Sequence, residues 1–129
     1  MITLPFRPAP GPTVVIVTED EAALRTLAAE VLAGAGFTVV EAAHADDALA
    51  IMKSRAVDVL FTDVQMPGSM DGLELARHVR RHWPRVAVLI ASGNKGPFST
   101  EMPDGSRFFH KPYSTSQLLA DVRGLIAAS

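Results

Sequence analysis

The sequence predicts a single α/β domain built on a five-stranded parallel sheet. The chain has 129 residues, the size of one domain. Short apolar runs alternate along it with amphipathic stretches, and several of these runs are rich in Val and Ile without polar interruption. Such strands are typical of a parallel sheet, because helices cover both of its faces.

The strands are assigned from apolar runs bounded by polar or turn residues. They are predicted at 13–17, 37–41, 57–63, 86–92 and 106–110. The third run, VDVLFTD, is continuous and ends in an acid, Asp63. The fifth run has the fewest apolar residues and leads into Lys111.

The helices are assigned from apolar residues at i, i+3, i+4 and i+7 spacing. They are predicted at 21–33, around 45–52, at 72–82 and from 114 to 126. The last one opens with a capping box in which Ser114 precedes Gln117 by three residues. The apolar stripe of the first helix is formed by Leu24, Leu27, Ala28 and Val31.

Five alternating units of this kind imply right-handed crossovers and a doubly wound sheet. The expected strand order is 2-1-3-4-5, the flavodoxin-like arrangement. Between the fourth and fifth strands, residues 93–105 contain three glycines and two prolines, so the helix expected there is short or irregular.

Two segments of different character are predicted along the chain. Residues 1–12 contain four prolines and are expected to form a flexible tail, in which Ile2, Leu4 and Phe6 could instead dock on a surface. The folded domain is expected at 13–129, with no output domain after the last helix.

Composition excludes several classes of function. The chain has no cysteine, which rules out disulfides, thiolate zinc sites and thiol catalysis. Its formal net charge of −2 offers no broad positive field for nucleic acid. It has neither an apolar run of the ~18 residues that a membrane helix needs nor a signal-peptide pattern, so a cytoplasmic protein without membrane contact is expected.

Polar side chains are predicted to meet at the carboxyl ends of the strands, where parallel α/β sheets bind ligands. The first strand leads into Glu19 and Asp20, the third ends in Asp63, the fourth in Ser92, and the fifth runs into Lys111. Three carboxylates held close repel one another, so either a pKa rises or a cation binds. Oxygen ligands without His or Cys suit Mg²⁺, with Mn²⁺ as a substitute.

A carboxylate in such a site can act as a nucleophile and form an acyl phosphate. Phosphoryl transfer requires mainly charge neutralisation and alignment, which Mg²⁺, Lys111 and the Ser92 hydroxyl would supply. Each signal has an ordinary alternative when taken alone: Asp20 as a helix cap, Lys-Pro as a turn and Ser-Gly as a loop dipeptide. Their joint order along the strands favours the functional interpretation.

Four segments, VVIVTEDE, FTDVQMPGSMDGLEL, VLIASG and FFHKPY, resemble the bacterial response-regulator receiver family, and the resemblance covers residues 13–127. It implies that Asp63 is the phosphoacceptor. It also implies that Mg²⁺ is held directly by Asp20, mostly through water by Glu19, and by the backbone carbonyl of Gln65.

The resemblance assigns further roles nearer the end of the chain. Ser92 matches the position that contacts the phosphoryl group, and Lys111 matches the family's lysine. Pro112 matches its cis proline, and Phe108 its aromatic switch residue. Two departures stand out: MPGSMDG is one residue longer than the usual motif, and 93–105 lacks a regular helix pattern.

The function implied is a phosphoryl-accepting switch in a two-component phosphorelay, without separate substrate turnover. Its expected partners are a sensor histidine kinase or a histidine phosphotransfer protein and a downstream protein target, and the chain is expected to be a monomer. The receiver portion of a hybrid kinase is the alternative within the family.

Two alternatives belong to other classes. An FMN-binding flavodoxin-like module needs a phosphate loop after the first strand, where this chain has the acidic Thr18–Glu21 stretch. An Asp-nucleophile phosphatase needs a general acid two residues after the nucleophile, where this chain has Gln65.

Overall fold

The computed structural model describes residues 13–93, 102–103 and 105–128. Strands and helices alternate along them, and each lies within two residues of its predicted position. The tail at 1–12 and most of the predicted irregular helix, at 94–101 and 104, lie outside the described residues. The elements are β1 (Val14–Thr18), α1 (Ala22–Gly34), β2 (Thr38–Ala42), α2 (Ala45–Ser54), β3 (Val59–Asp63), α3 (Gly72–His82), β4 (Ala87–Ser92), β5 (Arg107–His110) and α4 (Thr115–Ala128).

The five strands form one parallel sheet in the order β2-β1-β3-β4-β5, which confirms the predicted topology. Asp63 is opposite Ala91, and Ser92 is opposite His110. The carboxyl ends of β3, β4 and β5 therefore lie at nearly the same level of the sheet. This register brings the residues that follow them to one edge of the sheet.

Alternate residues of each strand enter two different hydrophobic cores. Ile16 and Leu60 belong to the core beneath α2 and α3. Val17 and Phe61 belong to the core beneath α1 and α4. Both faces of the sheet are covered, which explains the uninterrupted apolar runs in the sequence.

α1 differs from its prediction in one respect. The helical spacing placed Leu27 on the buried stripe, but its side chain is 49% exposed. The buried residues of α1 are Ala28, Ala29 and Leu32, so the buried side of the helix is turned toward its small residues. In the described part of the chain, no helix has the length and apolar character needed to cross a membrane.

Candidate functional site

Three acids meet at the carboxyl edge of the sheet. Glu19, Asp20 and Asp63 each place one carboxylate oxygen within 4.8 Å of the other two. Glu19 and Asp63 are buried, whereas Asp20 is exposed. The structure thus brings together the three acids that the strand pattern had singled out.

Lys111 lies between two of these acids. Its Nζ is 2.8 Å from Oε1 of Glu19 and 3.3 Å from Oδ2 of Asp63. The backbone N–H of Lys111 donates to the carbonyl of Ser92 at 2.8 Å, so the end of β4 holds the segment that carries the lysine. The Lys111–Pro112 peptide bond is cis, the geometry predicted for Pro112.

The loop carrying the first acid pair is held by Arg25 of α1, which the sequence analysis did not identify. Its Nη1 donates to the backbone carbonyl of Glu19 at 2.8 Å, and its Nε donates to Oε1 of Glu41 at 3.2 Å. Glu41 lies near the end of β2, so the guanidinium links α1, β2 and the acidic loop. The backbone N–H of Glu19 also donates to the carbonyl of Ala42 at 3.0 Å.

Asp63 is packed against the start of α3. A Cβ added at Gly72 would overlap the carbonyl oxygen of Asp63 and lie 2.8 Å from Oγ1 of Thr62, so only glycine fits there. Asp71 caps the helix: it accepts from the N–H of Glu74 at 2.8 Å, and the Glu74 side chain accepts from the N–H of Asp71 at 3.0 Å. The Asp-Gly pair therefore sets both the start of α3 and its close approach to Asp63.

Ser92 and Gln65 contact each other beside the acids. The Ser92 hydroxyl donates to Oε1 of Gln65 at 3.2 Å, and the N–H of Gly93 donates to the same oxygen at 3.3 Å. The structure thus gives the Gln65 side chain a contact that was not foreseen, while the metal-binding role of its backbone carbonyl stays a prediction. Phe108 is half-buried with its ring edge-on to His110 at 4.8 Å, and its switch role stays a prediction.

Burial dominates the electrostatics of the site. It raises the pKa of Asp63 above its usual value, although Lys111 lowers it. Burial likewise raises the pKa of Glu19, against the hydrogen bond from Lys111. Burial would lower the pKa of Lys111, but its bonds to Glu19 and Asp63 outweigh this and raise it. One ammonium thus only partly offsets the cost of burying two carboxylates.

The geometry of the acids fits Mg²⁺. Magnesium holds oxygen ligands at about 2.0–2.1 Å, so opposite ligands of an octahedron lie about 4.2 Å apart. The three carboxylate oxygens all lie within 4.8 Å of one another, close enough for small movements of the side chains to bring them onto one ion. Oδ1 of Asp63 is buried and accepts no hydrogen bond from the described residues, so its lone pairs are available to a cation. Mn²⁺ suits the same ligands.

A sheet of this order with three acids and a lysine at its carboxyl edge is the arrangement that the sequence resemblance implied for a receiver domain. The chain belongs to the response regulator receiver domain family, whose profile matches residues 15–123. Members of this family are the phosphoryl-accepting domains of two-component systems.

Individual relatives agree with this assignment. Over 121 residues the chain is 35% identical to the sensor kinase CckA of Brucella abortus, a match that covers 90% of this chain and 13% of that protein. Over 110 residues it is 32% identical to the nitrogen assimilation regulatory protein NtrX of Azorhizobium caulinodans, covering 81% of this chain and 24% of that protein. The chain therefore spans less than a quarter of either relative.

Two solved structures share the fold over almost their whole length. A response regulator receiver protein from Sinorhizobium medicae superposes with a TM-score of 0.85 at 27% identity, covering 91% of this chain and 96% of that one. The receiver domain of the hybrid histidine kinase CckA superposes with a TM-score of 0.76 at 32% identity, covering 88% and 98%.

Proposed function

We propose that this receiver, with its folded unit at 13–129, is a switch that accepts a phosphoryl group on Asp63. The reaction depends on Mg²⁺, and Mn²⁺ can replace it. The phosphoryl donor is a sensor histidine kinase or a histidine phosphotransfer protein. The phosphorylated domain then acts by binding a downstream protein.

One observation carries the proposal: Asp63 is a buried carboxylate with one oxygen near Lys111 and the other without a partner among the described residues. A purely structural acid at this depth would have both oxygens satisfied, because an unpaired buried charge is costly. Two further acids lie beside it, whereas a purely structural buried acid would have basic side chains as neighbours. The arrangement suits a group that acquires a metal ion and a phosphoryl group.

The proposed chemistry assigns a task to each side chain. A carboxylate oxygen of Asp63 forms the new O–P bond while the bond between the phosphorus and the donor nitrogen breaks. Lys111 lies within 3.3 Å of Asp63 and can pair with the negative charge of the transferred group. The Ser92 hydroxyl can exchange its contact with Gln65 for a phosphoryl oxygen.

The metal ion would be held by Asp20 and Asp63 directly, by Glu19 mostly through water, and by the backbone carbonyl of Gln65. When bound, Mg²⁺ neutralises charge on the transferred group. Lys111 already pairs with Glu19 at 2.8 Å, so this carboxylate is shared between the lysine and the metal site.

The test is labelling with acetyl phosphate, followed by intact-mass measurement under mild conditions. In Mg²⁺ buffer the wild-type chain should gain one labile phosphoryl group, and EDTA should abolish the gain. Asp63→Asn should gain nothing. Asp47→Asn is the matched control, because Asp47 is an exposed acid in the first turn of α2 and is not one of the three clustered acids.

Labelling of Asp63→Asn at the wild-type rate would refute the assignment of the phosphoacceptor. Undiminished labelling in EDTA would refute the metal requirement. Loss of labelling in Asp47→Asn would show that the assay reports folding or general acidity rather than the site.

A further inference from the structure

An apolar groove lies between α1 and α4, on the face of the sheet opposite α2 and α3. It has a volume of about 260 Å³ and is lined mainly by Leu24, Leu27, Pro112, Tyr113 and Leu118. It adjoins the phosphorylation site, because Lys111 forms part of the same wall. None of the proposed chemistry uses it.

The groove is held open by rigid neighbours. Tyr113 packs against Phe61 and Phe109 with ring centroids 5.8 and 4.7 Å away, which fixes one wall. Leu118 is fully buried and forms the floor. Leu27 stands at the rim, 49% exposed, the one large hydrophobic side chain of the described residues with such exposure. A fixed apolar recess with an exposed leucine at its rim is a surface that another segment can cover.

We propose that residues 1–12 of the same chain dock in this groove, with Leu4 and Phe6 as the buried side chains. The segment carries Ile2, Leu4 and Phe6 at every second position, so an extended backbone presents them on one side. Three of its four prolines, Pro8, Pro10 and Pro12, follow Phe6 and favour an extended form of the stretch that leads back to Thr13. Less conformational entropy is then lost on binding than for an ordinary peptide.

The reach of the segment agrees with this placement. Thr13 is held at the amino edge of the sheet, where its carbonyl accepts from Thr38 at 2.9 Å. The groove residues of α1, 24 to 28, lie about 9–15 Å from the end of that helix at Gly34, at 1.5 Å per residue. Packed layers of secondary structure lie roughly 10 Å apart, so the path from the sheet to the groove on α1 is roughly 20 Å. The seven steps along the chain from Phe6 to Thr13 span about 22 Å in a polyproline conformation.

Charge complementarity favours a docked segment in which Phe6 lies beside Leu27 and the chain runs back along α1 toward Thr13. Glu30 is exposed, has no ion-pair partner in the described part of the chain, and lies one turn beyond Leu27 toward the amino edge. Arg7 follows Phe6 along the path back to Thr13. With Phe6 beside Leu27, Arg7 therefore lies near Glu30. The opposite direction would move this arginine toward Lys111.

Paramagnetic relaxation enhancement tests the docking directly. The chain has no cysteine, so Thr3→Cys gives one site for a nitroxide label. In a ¹⁵N-labelled sample, the amides of Leu24, Leu27 and Thr115 should lose their signals and recover them when the nitroxide is reduced. Amides of α2 and α3, on the other face of the sheet, should keep their signals.

Two variants and one mixing experiment complete the test. Phe6→Ser and Leu27→Gln should each restore the groove signals, whereas Ala50→Gln, an exposed alanine on α2, should not. Uniform broadening of the amide signals over the whole surface would overturn the proposal. The proposal would also be overturned if the groove amides of a ¹⁵N chain without nitroxide were broadened on mixing with a spin-labelled ¹⁴N chain. A second copy would then supply the tail. The experiment needs no phosphorylation, so Asp63→Asn protein should give the same pattern.

Discussion

The two aspartates that flank β3 have opposite environments. Asp58, at the amino end, is exposed, and its Oδ2 accepts from the N–H of Val14 at 2.8 Å. Its backbone joins β1 and β4, at 2.9 Å to Val14 and 3.0 Å to Ala87. Asp63, at the carboxyl end, is buried beside two other acids, and one of its oxygens accepts no bond from the described residues.

The difference shows that residue type and strand position do not define a reactive acid. Asp58 accepts from a backbone donor and is exposed to solvent, so it stabilises the fold at its end of the sheet. Asp63 is desolvated and Lys111 only partly offsets its charge, so its ionised form is costly until a further counter-charge arrives. The carboxyl edge is therefore built for binding and the amino edge for stability.

The sharpest test of this contrast is Gly72→Ala. Because a Cβ there would overlap the carbonyl oxygen of Asp63, either α3 or the end of β3 must move. We expect the free energy of unfolding to fall by about 3 kcal/mol, the upper part of the range for overpacking. Urea denaturation followed by circular dichroism measures it.

Gly34→Ala is the matched control at the other edge of the sheet. A Cβ at Gly34 meets nothing within 4 Å, and the residue ends a helix. Alanine should therefore leave the free energy of unfolding unchanged or raise it by up to ~1 kcal/mol. Equal effects of the two substitutions would show that the contact between α3 and Asp63 is not tight.

The next effect concerns the loop that carries the acid pair. Arg25→Gln removes the charged link between the Glu19 carbonyl and Glu41. We expect the affinity for Mg²⁺ to fall about tenfold, as for other groups that orient metal ligands. The labelling rate at saturating Mg²⁺ should change much less, because Arg25 touches no reacting atom.

Isothermal titration with MgCl₂ measures the affinity, and the Mg²⁺ dependence of labelling separates binding from rate. Arg25→Lys should recover part of the affinity, since an ammonium can still donate to one of the two acceptors. Arg55→Gln, an exposed arginine at the end of α2, is the control. An unchanged affinity in Arg25→Gln would show that the loop keeps its shape without the guanidinium.

Much of this architecture could be predicted from the sequence, because parallel strands have a simple rule for where their ends meet. Asp63 and Lys111 are far apart in the chain, yet each follows a strand, and the strand order brings them together. Asp58 lies in the same predicted run, at its amino end, where the sequence marks no ligand site. The sequence pattern therefore singled out Asp63, whereas the environment of Asp58 became apparent only from the structure.

The remainder depends on distances that no periodicity encodes. Arg25 lies on a helix whose pattern says only that this position is polar, and its contact with Glu41 follows from the packing of α1 beside β2. Gly72 is compatible with any tight turn until the carbonyl of Asp63 is seen beside it. Leu27 fits the apolar stripe of α1, but the small alanines next to it decide which side is buried.

The smallest expected effect has opposite signs at the two ends of β3. In metal-free buffer at pH 8, Asp63→Asn should stabilise the chain by on the order of 1 kcal/mol, because it removes a buried charge that Lys111 only partly offsets. Asp58→Asn should lower stability slightly, because its bond to the Val14 N–H loses its charge assistance. Thermal unfolding by calorimetry compares both with the wild type.

The pH dependence identifies the cause. The pKa of Asp63 is raised in the folded state above its ordinary value of 3.8. Below that value the carboxyl is protonated in both states and carries no penalty. As the pH rises toward the folded pKa, the unfolded chain releases its proton first, so the wild type loses stability relative to Asp63→Asn. The gain from Asp63→Asn should therefore be small near pH 3.5, grow through the acidic range and level off above the folded pKa.

Saturating Mg²⁺ should reverse the sign of the stability difference between Asp63→Asn and the wild type, because the wild type alone keeps the full set of ligands. A gain that persists undiminished at pH 3.5 would mean that packing rather than charge makes Asp63 unfavourable, and the contrast with Asp58 would then not be electrostatic.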